Sequence, residues 1–128
     1  MGTDLANPAA YGRQLKENAI LSATPEQLIV HLYDGALRAL RAAAAALKEG
    51  RIEPAHHALR RAERVIRYLD SIVNDQASPE LARHLHGLYA FSLRHLNEAR
   101  LVADPEKVQA VARVLGELRE AWSQVAGR

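Results

Sequence analysis

The 128-residue chain has no cysteine, which excludes a disulfide framework and thiolate zinc sites. Aromatic residues make up only 5%, with one Trp and one Phe, so any core must be mainly aliphatic. The glycines at 12, 35, 50, 87 and 116 stand apart from one another, and no phosphate-cradling loop can be built from them. No stretch reaches the ~18 uninterrupted apolar residues of a membrane span, because Arg38 and Arg41 break the richest run. The start, Met1-Gly2-Thr3-Asp4-Leu5-Ala6, lacks the basic and apolar regions of a secretory signal. Ala6 also stands where a myristoylation signal wants Ser or Thr. Nor is there a large excess of charge: 17 Lys plus Arg face 15 Asp plus Glu, a balance that does not demand nucleic acid. The expectation is a soluble cytoplasmic protein without membrane insertion.

What is present favours helices. Hydrophobic residues make up 48% and charged residues 25%, an ordinary globular balance, and Leu, Ala, Arg and Glu are all good helix formers. Thr24-Pro25-Glu26-Gln27 supplies an N-cap, a proline at the first helical position, an acid in the first turn and a capping-box partner. Ser78-Pro79-Glu80 and Asp104-Pro105-Glu106 repeat the device. A fourth start falls near Arg51 to Pro54, after Gly50, which suits the position just past a helix end. Apolar residues recur at steps of three and four, as in Ala55, Leu59, Ala62, Ile66, Leu69 and Val73. Val108, Val111, Leu115, Leu118, Trp122 and Val125 do the same, and so do Leu81, Leu85, Leu88, Ser92, Leu96 and Ala99. Helices are predicted over about 25–48, 53–74, 79–102 and 105–126. Their short connections force sequential helices to pack antiparallel. The predicted fold is all-α: an antiparallel up-down four-helix bundle over 24–128, preceded by residues 1–23 as a mobile arm with a short amphipathic helical stretch around Tyr11, Leu15, Ala19 and Ile20.

Catalytic and metal chemistry find little support. Two helical ligands share a face only when three or four residues apart. His56 and His57 are adjacent, and His84 and His86 are two apart. No paired Glu-x-x-His motif of the di-iron kind occurs, and no serine sits in a nucleophile elbow. We therefore expect no metal, no cofactor and no catalytic residue. Arg60, Arg64 and Arg67 share a face, but Glu63 interrupts the run and only Tyr68 is interleaved for base stacking, so no nucleic-acid partner is expected.

The segment Ala23-Thr24-Pro25-Glu26-Gln27-Leu28, followed by Leu32-Tyr33-Asp34-Gly35-Ala36, resembles the signature of the FliS family of flagellar export chaperones. Four further pieces agree in order: Ala55-His56 with Leu59, Arg61 and Ala62; Leu88-Tyr89; Leu96-Asn97-Glu98-Ala99; and Glu117-Leu118-Arg119-Glu120-Ala121-Trp122. The likeness runs from about residue 11 to residue 125. It implies a cytoplasmic protein that binds the disordered C-terminal region of flagellin, prevents premature polymerisation and assists flagellar type III export, with the export apparatus as a further partner. Family members carry a tyrosine upstream of the signature proline, proposed to cover the guest groove. Here that position is Leu15, with Tyr11 one turn earlier, so both are candidates for a groove-capping role.

The first long helix is more apolar than one partner helix requires. Leu28, Leu32, Ala36, Leu40 and Ala44 form its stripe, and Ile29, Tyr33 and Leu37 flank it. These eight residues, together with Tyr89, are the candidate flagellin-binding surface, because a guest that folds into an amphipathic helix needs an exposed apolar groove. The alanine run Ala42 to Ala46 leaves thin side chains for close approach, and Gly35 and Gly87 suggest the same. The rival reading is a structural or scaffolding bundle that self-associates through this face.

Overall fold

The computed structural model describes residues 23–127. Four helices follow in order: α1 (Pro25–Lys48), α2 (Ile52–Ser71), α3 (Pro79–Val102) and α4 (Pro105–Ala126). Three begin at the prolines that the sequence marks. Thr24 closes a full capping box: its hydroxyl accepts from the Gln27 N–H at 3.2 Å, and the Gln27 side chain accepts from the Thr24 N–H at 2.9 Å. Asp104 accepts from the Glu106 N–H at 3.0 Å. Ser78 adopts extended backbone but makes no side-chain cap.

α1 ends as expected. Gly50 takes a positive φ of 72°, and the N–H groups of Gly50 and Arg51 return to the carbonyls of Leu47 and Ala46, a Schellman closure that favours glycine. α2 departs from expectation at both ends. It starts at Ile52 behind an uncapped Arg51 and stops at Ser71 rather than 74. Three local hydrogen bonds compete with its continuation. The Ser71 hydroxyl donates to the Tyr68 carbonyl at 2.7 Å, and the Asn74 side chain accepts from the Gln76 and Ala77 N–H groups, turning the chain towards α3.

α1 runs closest to α2 and α4, and α3 closes the square against α2 and α4. Side-chain size explains the difference. Ala36, Ala39, Ala43 and Ala46 on α1, with Ala55, Ala58 and Ala62 on α2, are all buried, and single methyl groups let helix axes approach towards the short end of the usual 8–10 Å range. The larger core residues, Leu40, Leu59, Ile66, Leu96 and Leu115, are fully buried. Tyr33 belongs with them rather than on a flank, because its hydroxyl meets the Tyr89 hydroxyl at 2.7 Å inside the bundle, which satisfies both polar tips.

Ion pairs tie the helices together. Arg119 on α4 donates to both carboxylate oxygens of Asp34 on α1, at 2.9 and 3.5 Å. Glu63, turned inward from α2, is held by Arg100 of α3. No other helix of the bundle closes on Gly35: a Cβ there would meet only the tip of Arg38, at 3.7 Å. At Gly87 a Cβ would meet open space.

Candidate functional site

α1 and α3 begin, and α2 and α4 end, at the same end of the bundle, and there the packing is incomplete. Two sequence features cause this. The fully buried stripe of α4 stops at Leu115, leaving Leu118 and Trp122 only partly covered. On α3 the inward stripe is Ala82, Leu85, Tyr89, Ser92, Leu96 and Ala99, so Leu81 and Leu88, expected on the core face, lean away from it. Ser92 tolerates this burial because its hydroxyl donates to the Leu88 carbonyl at 2.9 Å.

The result is an apolar cavity of about 270 Å³, walled by Ile29, Leu69, Ile72, Leu81, Leu85 and Trp122, with Tyr89 also lining it. Four apolar side chains at this end stay largely in water: Leu28 at 39%, Ile72 at 42%, Val125 at 46% and Leu81 at 57% exposure. Exposed aliphatic groups beside an apolar groove make this end a candidate binding surface.

Around the groove the polar groups have defined partners. Burial, and then the hydrogen bond to Tyr89, push the Tyr33 phenol far above its ordinary range, and burial raises Tyr89 as well. Both are neutral phenols and act as structure, not as acids or bases. At the rim, both ring nitrogens of His86 meet carboxylates: Nδ1 lies 2.5 Å from Asp70 on α2, and Nε2 lies 2.7 Å from Asp75 in the 72–78 turn. An imidazole can donate from both nitrogens only as the cation. The hydrogen bond to Asp70, then that to Asp75, raises its pKa accordingly. The two carboxylates sit on opposite edges of the ring, a clamp rather than a chelate. Among the described residues no three acids or histidines converge on a metal-binding geometry, and no helix is long and apolar enough to cross a membrane.

The residues singled out on α1 divide by height. Ile29 lines the groove and Leu28 is exposed beside it, while Leu32 and Leu37 are partly buried against the core. Tyr33, Ala36 and Leu40 are fully buried beneath them. Ala44 is buried and faces the α1–α4 side, near Gln109 and Ala112, and Tyr89 is buried with one face on the groove. Of the alanine run, Ala43, Ala44 and Ala46 pack inward and Ala42 and Ala45 face out. Tyr11 and Leu15 lie outside the described residues. The sequence reading did not mark Leu69, Ile72, Leu81, Leu85 or Trp122 as binding residues. Their stripe positions are visible in the sequence, but where packing stops along a stripe depends on the crossing of the helices.

Comparison with known proteins fits this architecture. Residues 7–128 match the family model described as flagellar protein FliS. The flagellar secretion chaperone FliS of Salmonella typhimurium is 34% identical over 118 residues, covering 91% of this chain and 87% of that protein. Its Bacillus subtilis counterpart is 28% identical over 109 residues, covering 85% and 80%. A crystal structure of a bacterial flagellar chaperone superposes with a TM-score of 0.74 at 16% identity, covering 89% of this chain and 96% of that one, and so shares the fold. With a match across nearly its whole length, the chain belongs to the FliS family of flagellar secretion chaperones, a family of chaperones rather than enzymes.

Proposed function

We propose that this protein acts in the cytoplasm by binding the disordered C-terminal region of flagellin, preventing premature polymerisation and delivering the monomer to the flagellar type III export apparatus. The observation that carries this reading is the apolar groove with Ile72 and Leu81 exposed in its lining and Leu28 and Val125 exposed at the same end of the bundle. A disordered segment that folds into an amphipathic helix gains most by laying its apolar stripe on such a surface. The proposed contact residues on α1 are Leu28, Ile29, Leu32 and Leu37, with Tyr33, Ala36, Leu40, Ala44 and Tyr89 supporting them from the buried side. On the same reading residues 1–23 form an arm that caps the groove through Tyr11 or Leu15 when no guest is present.

The test is co-purification and calorimetry with flagellin and with flagellin lacking its C-terminal region. The intact protein should form a stoichiometric complex and the truncated one should not. Ile72→Asp with Leu81→Asp should abolish the complex while leaving the helical circular dichroism unchanged. Equal binding of both flagellins would refute the reading. Deleting residues 1–20 should raise affinity for the tail; unchanged or weaker affinity would remove the capping role.

A further inference from the structure

The opposite end of the bundle carries a second groove of different chemistry. It lies between the outer faces of α1 and α2, has a volume of about 750 Å³, and is lined by Ala42, Ala45 and Ala46 from one helix and Ala58, His57 and Arg61 from the other. Ala42 and Ala45 are exposed, so the floor is open to a visitor. Because α1 and α2 are antiparallel about the turn at Gly50, Ala42 lies opposite Ala58 and Arg38 comes level with Arg61 and Ala62. Arg64 lies one helical turn past Arg61, just beyond the groove's lining.

Arg51 and Glu49 in this groove pair with each other at 3.5 Å, but the arginines towards the middle of the bundle are unspent. Sequence alone suggests that Glu63 breaks up the arginine run, but Glu63 is turned into the core and held by Arg100. What remains on the outer surface is Arg38, Arg60, Arg61 and Arg64, all exposed. None has a carboxylate within 4.0 Å among the described residues. Arg60 has only the His57 ring nearby, at 3.5 Å. By contrast Arg100 and Arg119, which face other helices, are both paired. At the far end of the same groove stand Glu49, Arg51 and Glu53, so the surface is polarised: mixed in charge next to the α1–α2 turn, basic towards the middle of the bundle.

We propose that this groove is a second docking site, distinct from the flagellin groove, for an acidic amphipathic helix of another protein. An alanine floor lets a helix settle close to the α1 and α2 backbones. Arg60, Arg61 and Arg64, with the His57 ring one turn before them, recur at the three- and four-residue steps of a helix face, and an incoming helix with carboxylates at the same steps would meet the arginines. The polarity favours one orientation, because a basic end of the guest would sit against Glu53, which has no cation within 4.0 Å among the described residues. Nucleic acid fits less well: the floor offers no aromatic side chain for stacking, and the Glu53 carboxylate repels a phosphate backbone. The 13 residues from Ile29 to Ala42 place the two grooves about 20 Å apart along α1, so both can be filled at once.

The test uses the full chain and a synthetic helical peptide with one alanine face and glutamates at alternating steps of three and four, measured by fluorescence anisotropy. A peptide with glutamine for glutamate and a single-stranded oligonucleotide of similar length serve as comparison probes. The acidic peptide should bind, the glutamine peptide at least tenfold more weakly. R61E/R64E should lower affinity at least tenfold, and so should A42F, which fills the floor without altering charge. R113E, on exposed α4 surface, should change affinity less than twofold. Absence of peptide binding, an equal loss with R113E, or no loss with A42F would overturn the proposal in favour of unspecific charge attraction. Tighter binding of the oligonucleotide, lost with R61E/R64E, would overturn it in favour of a nucleic-acid site. Flagellin-tail binding should be unchanged in R61E/R64E, which separates failure of this site from failure of the flagellin reading.

Discussion

The two ends of the bundle are made from the same four helices but are packed by different rules. Towards the α1–α2 turn, single methyl groups meet: Ala43, Ala46, Ala55 and Ala58 are buried, the helices lie close, and the outer face of α1 and α2 is an open furrow, while Ile52, Leu101 and Val102 stand exposed outside it. At the other end Ile29, Leu69, Leu85, Tyr89 and Trp122 converge, and residues of that size and shape leave a cavity wherever four helices diverge. Small side chains thus complete the packing at one end, while large ones leave an apolar cavity at the other. The first arrangement contributes stability. The second is the surface that the proposed function assigns to an unfolded guest.

Mutations that act on packing should separate the two ends most sharply. Leu40→Ala removes a fully buried side chain from the middle of α1 and should lower the unfolding free energy by about 2–5 kcal/mol. Urea denaturation with an unchanged m-value would check this. Filling should be the next largest effect and should differ between the ends. Ala62→Leu forces three extra carbons into a closed contact and should cost about 1–3 kcal/mol. Ala82→Leu, beside the cavity, can lean into open space and should cost clearly less while blocking the guest. If the two costs are equal, the contrast in packing is wrong.

Tyr33 and Tyr89 connect the closed core to the groove floor. Tyr33→Phe leaves the Tyr89 hydroxyl without its buried partner and should destabilise by about 1–3 kcal/mol. The double change to phenylalanine removes both hydroxyls, so its cost should fall below the sum of the two single changes, as a double-mutant cycle would show. Smaller still on stability, Leu81→Ala should stay within about 0.5 kcal/mol of the parent, since more than half of that side chain is already in water, yet it should weaken binding of the flagellin tail.

Much of this was written plainly in the sequence, but unevenly. Cap-and-proline signals are local chemistry, and α1, α3 and α4 start at Pro25, Pro79 and Pro105 as those signals require. The stripes of α2 and α4 could also be read, because their periodicity is regular. The face of α3 could not be chosen so simply. Leu81-Leu85-Leu88 and Ala82-Leu85-Tyr89 both carry helical spacing, and the choice follows from the hydroxyl contact between Tyr89 and Tyr33, 56 residues apart. The same holds for Glu63, which looks like part of a solvated charge run until Arg100 is brought to it by the α2–α3 packing. Long-range polar pairing leaves no periodic trace. For that reason the groove residues of α2 and α3 were less legible than the helices that carry them.

His86 offers the most delicate way to sharpen the comparison, because its clamp holds the turn at the open end of the bundle. The ring and both carboxylates are in contact with water, so screening keeps their contribution to stability small. The pKa is raised above 6.5 by Asp70 first and Asp75 second. The clamp is therefore complete below that ordinary value and is lost as the pH rises through the elevated folded-state value. Titration of the imidazole by NMR should give a midpoint above 6.5, with Asp70→Asn lowering it more than Asp75→Asn. Hydrogen exchange of the Gln76 and Ala77 amides, corrected for its intrinsic pH dependence, should accelerate as His86 loses its proton, while amides at the alanine-packed end should not respond. A midpoint at or below 6.5 would mean that His86 does not bridge the two acids, and that the turn bordering the groove is held by the Asn74 hydrogen bonds alone.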